Sequence, residues 1–189
     1  ELSSEESPIE NLAKLRENSW FTVAYPTSVQ MANYKAGILG DPYKHLNARE
    51  HEKLEQRVWY YKKHFTIPQK RSGYSCILNF DGIDYFAKVW LNGIELGKHR
   101  GIFGGPVIDV SENLNYGGDN ELIVEVISAN YGKTSFNPNR PGNIVKGWFL
   151  MGGSAMEPFF NLGLWRNVRL EFVPEYHLER PFLFTEKIE

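Results

Sequence analysis

A single cysteine, Cys76, occurs in 189 residues, so no intrachain disulfide is available to hold the fold. Its place in the apolar run Tyr74 to Leu78 reads as a small buried filler, not as a catalytic thiol. Charge of either sign is not in excess. Lys and Arg total 21 against 23 for Asp and Glu, a net of −2, which leaves no broad field to attract phosphate backbones or anionic membranes. Nucleic acid and membrane are therefore not expected partners. No apolar run approaches the roughly 20 residues that span a bilayer, and the chain opens on polar Glu1 to Glu6 instead of a signal peptide, which leaves a cytosolic protein or one whose signal has been removed. Long apolar periods of helical spacing are missing too. So are a nucleophilic Ser, His and Asp set, a metal-ligand cluster and paired carboxylates at a motif spacing. No cofactor is expected.

What remains is a chain of turns and short strands. Aromatics make up 14%, with 17 Gly and 10 Pro, and the length suits one domain with a fragment of a second. The strongest local signal is Asn92-Gly93, flanked by Val89, Leu91, Ile94 and Leu96 with Trp90 and Glu95 on the other parity. Both turn residues tolerate positive φ, which a two-residue hairpin turn needs. Trp59, Tyr61, Lys63 and Phe65 alternate with Tyr60, Lys62, His64 and Thr66 in a strand ended by Pro68. Tyr74 to Phe80 is apolar on both parities, as in the middle of a sandwich. Asp81-Gly82 turns into Tyr85 to Leu91, Pro106 to Val110 is a further strand, and Gly117 to Asn120 turns into Glu121 to Ile127.

Earlier in the chain, Glu1 to Asn18 reads as a short helix or a loosely docked arm. Trp20 to Tyr25 alternates as a first strand stopped by Pro26. Thr27 or Ser28 caps a helix through about Ala36, with Gly37 at its stop. Asp41-Pro42 fixes a turn through the carboxylate, and the loop to Asn47 serves the fold, an interdomain contact or the ligand. Glu50 to Gln56 is helical. Gly97 to Pro106 reads as a flexible glycine-rich loop in which His99 anchors the backbone by a hydrogen bond; no helix start follows to make it a phosphate cradle. Short strands at this spacing give an all-β, antiparallel jelly-roll sandwich with a few short helices.

Asn130 to Phe160 is the least regular stretch, rich in Asn, Gly and Pro with Trp148, Phe149, Phe159 and Phe160 interspersed. A segment of that length without periodicity points to function, and flat rings beside Asn, Arg and carboxylates suit a sugar.

The Asp81-Gly82 turn with Asp84, Leu91-Asn92-Gly93, Leu96-Gly97, His99, Gly101 to Phe103, Asp109, Asn120 and the closing Gly163-Leu164-Trp165-Arg166-Asn167-Val168 together resemble the N-terminal, galactose-binding-like sugar-binding domain of glycoside hydrolase family 2. The resemblance covers about Trp20 to Pro174. It implies an arm over 1–19, a jelly roll over 20–174, and a linker with the start of a truncated immunoglobulin-like domain over 175–189. Hydrolysis in that family belongs to a (β/α)8 barrel of about 200 residues or more, for which this chain has no room. The chain alone is thus expected to be inactive, an accessory domain of an exo-β-glycosidase that packs on the barrel and lends a loop to the pocket. In the galactosidase and glucuronidase branches an Asp six positions before the closing Gly contacts the sugar; here Glu157 holds that position, as a contact to carbohydrate or as a surface carboxylate. Phe159, Arg140 and Asn137 are further candidates for substrate binding. The segment Asp41 to Asn47 is similar to the β-mannosidase and exo-glucosaminidase branch, whereas Met156-Glu157-Pro158-Phe159 lacks that branch's Trp-Asp-Trp run, so the sugar stays open. Trp165 and Arg166 read as structural. A periplasmic or secreted location is the family expectation. A freestanding carbohydrate-binding module and a structural spacer are the alternatives.

Overall fold

The computed structural model describes residues 1–70, 72–129, 131, 161–178 and 181–187. Among the described residues, ten strands form two antiparallel sheets, accompanied by two short α-helices. In chain order the strands are β1 (Leu2–Glu5), β2 (Thr27–Ser28), β3 (Val58–Thr66), β4 (Tyr74–Phe80), β5 (Ile83–Leu91), β6 (Ile94–Gly101), β7 (Val107–Asp109), β8 (Asp119–Ile127), β9 (Gly163–Leu164) and β10 (Val168–Pro174), and the helices are α1 (Val29–Lys35) and α2 (Asn47–Lys53). Seven strands run β1-β3-β8-β5-β9-β2 with β6 also on β5, and three run β10-β4-β7. This is the expected all-β jelly-roll sandwich with a few short helices.

Period-two alternation sorts side chains between the layers. Trp59 and Tyr61 of β3, Ala87, Val89 and Leu91 of β5 and Val124 and Val126 of β8 face Cys76, Leu78 and Phe80 of β4 in the main core. The opposite parity of the large sheet is covered as well. Val58, Tyr60, Trp90 and Ile123 lie beneath Leu15, Ile9, Leu12 and Trp20 of the N-terminal arm. The arm is not loose: β1 pairs with β3, Leu2 is fully buried, and the short helix that the spacing suggested forms as a 3-10 helix over Leu12–Glu17. Tyr60 donates to Glu125 at 2.7 Å and accepts from the Ile9 amide, so a buried acid is satisfied under the arm.

Two further expectations are corrected. Trp20 to Tyr25 makes only one bridge, Phe21 to Leu2, because its alternation serves packing: Phe21 and Val23 on the main core, Trp20 on the outer cluster. Gly97 to Gly101 is strand, not flexible loop; β6 runs through His99 and Arg100 opposite Ala87 and Phe86. Cys76 is buried as expected, and burial pushes its thiol up to about 11.

The hairpin turn sits at Asn92 (φ 51°) and Gly93 (φ 83°), with a bulge between Val89 and Trp90. Asn92 does more than turn. Its Nδ2 donates to the Asn113 carbonyl (2.7 Å) and to Asn120 Oδ1 (2.9 Å), while its Oδ1 accepts from the Glu121 amide (2.9 Å). Asn120, 1% exposed, also accepts from the Asn115 amide and donates to the carbonyls of Asn115 and Gly118. One amide side chain thus fastens the hairpin to the β7–β8 connection. Asn120→Ala leaves these buried groups without partners and is expected to destabilise the fold by about 2–3 kcal/mol, read as a lower urea midpoint at constant slope.

Candidate functional site

The site is located by where the chain re-enters the described fold at Asn161. Leu162, 1% exposed, accepts from the Val29 amide (2.8 Å) and donates its own amide to Gln30 Oε1 (3.3 Å). Gly163 then pairs with Ser28 on one side and Asp84 on the other, and Leu164 with Thr27 and Ile83. Helix α1 starts at the same place because Ser28 caps it, its hydroxyl accepting from the Met31 amide at 3.2 Å, and Gly37 (φ 72°) ends it as the sequence predicts.

Around this joint gather polar side chains that the sandwich core has no use for. Gln30 and Asn33 are 1% and 3% exposed, Asn33 donating to the Val29 carbonyl, and Asp84 is buried at the start of β5. Tyr61, whose hydroxyl donates to the Thr27 carbonyl at 3.2 Å, lies directly under Gly163. His99, half-buried on β6, lies beside the backbone of Gly101 and Ile83, with its Nε2 unpartnered among the described residues. Burial lowers its pKa, so the ring is neutral at pH 7. A neutral imidazole, two amides and a carboxylate are hydrogen-bonding groups suited to hydroxyls, not to charge chemistry. Among the described residues no group of three or more His, Cys, Asp or Glu is placed to hold a metal ion.

Beside the joint, Trp165 is structural, as its position in the closing strand implies. Its Nε1 donates to the Ile102 carbonyl at 2.8 Å, its ring closes on Gly82, and the Arg166 guanidinium lies 4.3 Å from the ring centre. Tyr25, its hydroxyl pushed up to about 12 by burial, donates to the Arg166 carbonyl at 2.6 Å. Asp81 and Arg169 form a two-pronged pair, both contacts 2.9 Å. A cleft of about 610 Å³ also opens between the sheets, walled by apolar residues such as Val23, Phe65, Leu122 and Leu170. Polar and charged side chains, among them Lys62, His64 and Arg169, also line it.

Of the sequence-derived candidates, Asn137, Arg140, Glu157 and Phe159 lie outside the described residues. Their chain re-enters at Asn161, and the pairing of Gly163 is the nearest fixed geometry. Buried Asp84 and Gln30 beside this joint were not among the sequence-derived candidates. Asp84 had a signal, a carboxylate near the start of a mainly apolar strand; Gln30 had none.

Set against known proteins, residues 9–149 match the family described as glycosyl hydrolase 2 galactose-binding domain-like. The chain belongs to this family. β-Mannosidase B of Aspergillus terreus is 32% identical over 171 residues, 81% of this chain and 20% of that protein, and β-mannosidase B of Neosartorya fischeri is 29% identical over 170 residues, 82% and 20% respectively. A solved structure, a β-D-mannosidase from Dictyoglomus thermophilum, superimposes with a TM-score of 0.64 over 90% of this chain and 21% of that one; at 23% identity it speaks to the fold. The family domain therefore spans about a fifth of the length of the curated relatives it matches.

Proposed function

We propose that this chain is the accessory domain of a retaining exo-β-glycosidase of the β-mannosidase type, packing on a (β/α)8 barrel and followed by an immunoglobulin-like domain. In this reading the segment entering at Asn161 narrows the barrel's pocket to a terminal sugar. Glu157 accepts hydrogen bonds from vicinal hydroxyls, with Phe159, Arg140 and Asn137 in support. The observation that carries the proposal is the family match over most of a chain that spans only a fifth of its glycosidase relatives. Hydrolysis then belongs to the parent protein, since two catalytic carboxylates on a barrel need about 200 residues more. The buried amides, Asp84 and His99 at the root of the segment support it as a rigid base for positioning.

Calorimetric titration of chain 1–189 with mannose, galactose, glucuronate and short mannosides tests this. An accessory domain holds only part of a pocket, so the expected result is no binding tighter than about 1 mM. Micromolar binding to the isolated chain would replace the proposal with a freestanding carbohydrate-binding module.

A further inference from the structure

Between Tyr34 and Leu46 the chain displays four large apolar side chains to solvent: Tyr34, Ile38, Tyr43 (63% exposed) and Leu46 (68% exposed). They are not on a slack loop. Asp41 Oδ1 accepts from the Tyr43 amide (3.0 Å), and the Asp41 carbonyl accepts from the Lys44 amide (3.1 Å) and from Asn47 Nδ2 (3.0 Å). Fully buried His51 is tied by Nε2 to the Gly40 carbonyl at 2.9 Å, and the amides of Ile38 and Leu39 both return to the Asn33 carbonyl. His45 is held at φ 54°, in the left-handed region that disfavours a non-glycine residue. A loop so tied cannot turn Tyr43 and Leu46 inward, and it keeps a strained residue to hold its shape. Large apolar groups fixed in water are the mark of a contact surface, not of a core.

The same stretch is charged at its edges. It carries both signs, with Lys35, Lys44 and Arg49 exposed beside Asp41, Glu50 and Glu52, and Lys44 paired with Asp41 at 3.6 Å. It is also continuous with the joint described above, because α1 begins at Ser28, opposite Gly163, and leads directly into Ile38. The relatives, about five times this chain's length, supply the polypeptide that such a surface needs.

We propose that Tyr34, Ile38, Tyr43 and Leu46 are the anchors by which this domain docks on the remainder of its own polypeptide, in an apolar recess of that polypeptide. The proposal rests on the accessory-domain reading and specifies the face that makes the contact. Docked there, α1 is clamped at one end by the partner and at the other by Leu162, which fixes the root of the 132–160 segment relative to that partner.

Hydrogen exchange of residues 38–47, measured in chain 1–189 and in the intact polypeptide, tests it. The expected result is exchange slowed at least about tenfold in the intact polypeptide. The double variant Tyr43→Ser, Leu46→Ser should abolish that slowing while leaving the Tm of chain 1–189 unchanged, since both side chains are exposed. Equal exchange in the two contexts overturns the proposal, as does slowing that survives the double variant. Slowing that appears in chain 1–189 with rising concentration assigns the face to a second copy and also overturns it. If the intact polypeptide carries no glycosidase barrel, the accessory reading fails, and exchange still decides whether this face docks.

Discussion

Gly163→Ala is expected to be the most destabilising single change in the domain, costing about 2–5 kcal/mol of a total of about 5–15. Gly163 holds φ 134°, where an L side chain is strained whatever the space. Space is also absent. A Cβ there would stand 2.5 Å from the Tyr61 hydroxyl, 3.0 Å from the Thr27 carbonyl oxygen and 3.2 Å from the Ser28 Cα. Two of these neighbours are backbone, and the third is a buried ring whose hydroxyl is already bonded to Thr27. Relief requires parting β2 from β9, which would also free Leu162 from Val29 and Gln30. Urea unfolding followed by tryptophan fluorescence should show a midpoint lower by about 1–2 M at an unchanged slope. Gly37→Ala is the control: it shares a positive φ (72°) but meets no atom within 4 Å, so strain alone acts there. An equal loss at both positions would mean that backbone conformation, not the crowded joint, sets the cost.

How much of this was legible depends on whether a signal was local. Asn92-Gly93 announced its hairpin because the turn's φ values belong to those two residues, and Ser28 with Gly37 bracketed α1 for the same reason. The outward roles of Asn92 and Asn120, which join segments distant in sequence, had no local trace. Strand β1 was invisible because Leu2-Ser3-Ser4-Glu5 has little propensity of its own; it becomes a strand because β3 presents an open edge. The start of β6 was legible from the hairpin, but its continuation from Gly97 to Gly101 was hidden by glycines that read as flexibility. The two-sheet sandwich was legible, but which strand belongs to which sheet was not, since Asp81-Gly82 looks like any tight turn yet passes the chain from the small sheet to the large one. At the site, Trp165 was legible as structural. The polar set of buried Gln30, Asn33 and Asp84 with half-buried His99 was not, because only the tertiary packing of α1 and β6 beside the β2, β5 and β9 pairing collects it.

Glu157→Ala in the intact polypeptide is expected to reduce kcat/KM toward its glycoside about 100-fold. The reasoning is energetic and geometric. A carboxylate that accepts from two vicinal hydroxyls makes charge-assisted bonds, and its loss both leaves those hydroxyls unpaired and lets the sugar drift from the catalytic carboxylates. A misplacement of about 1 Å can cost on the order of 100-fold in rate, equivalent to about 2.7 kcal/mol. Glu157→Gln, which keeps length and one acceptor, should retain part of the activity, and a role confined to the sugar contact requires an unchanged Tm for both. A glycoside lacking one of the two hydroxyls should lose rate with the wild type and show little further loss with the variant. That coupling separates a sugar contact from a general effect on folding.

The measurement that bears most directly on the account is therefore kcat/KM of the intact polypeptide and its Glu157→Ala variant on aryl β-mannoside, β-galactoside and β-glucuronide, with chain 1–189 assayed beside them. The account predicts no turnover by chain 1–189, turnover by the intact polypeptide, and a fall of about 100-fold in the variant at unchanged Tm. Turnover by chain 1–189 alone, or equal kinetics for wild type and variant on every glycoside cleaved, would contradict it.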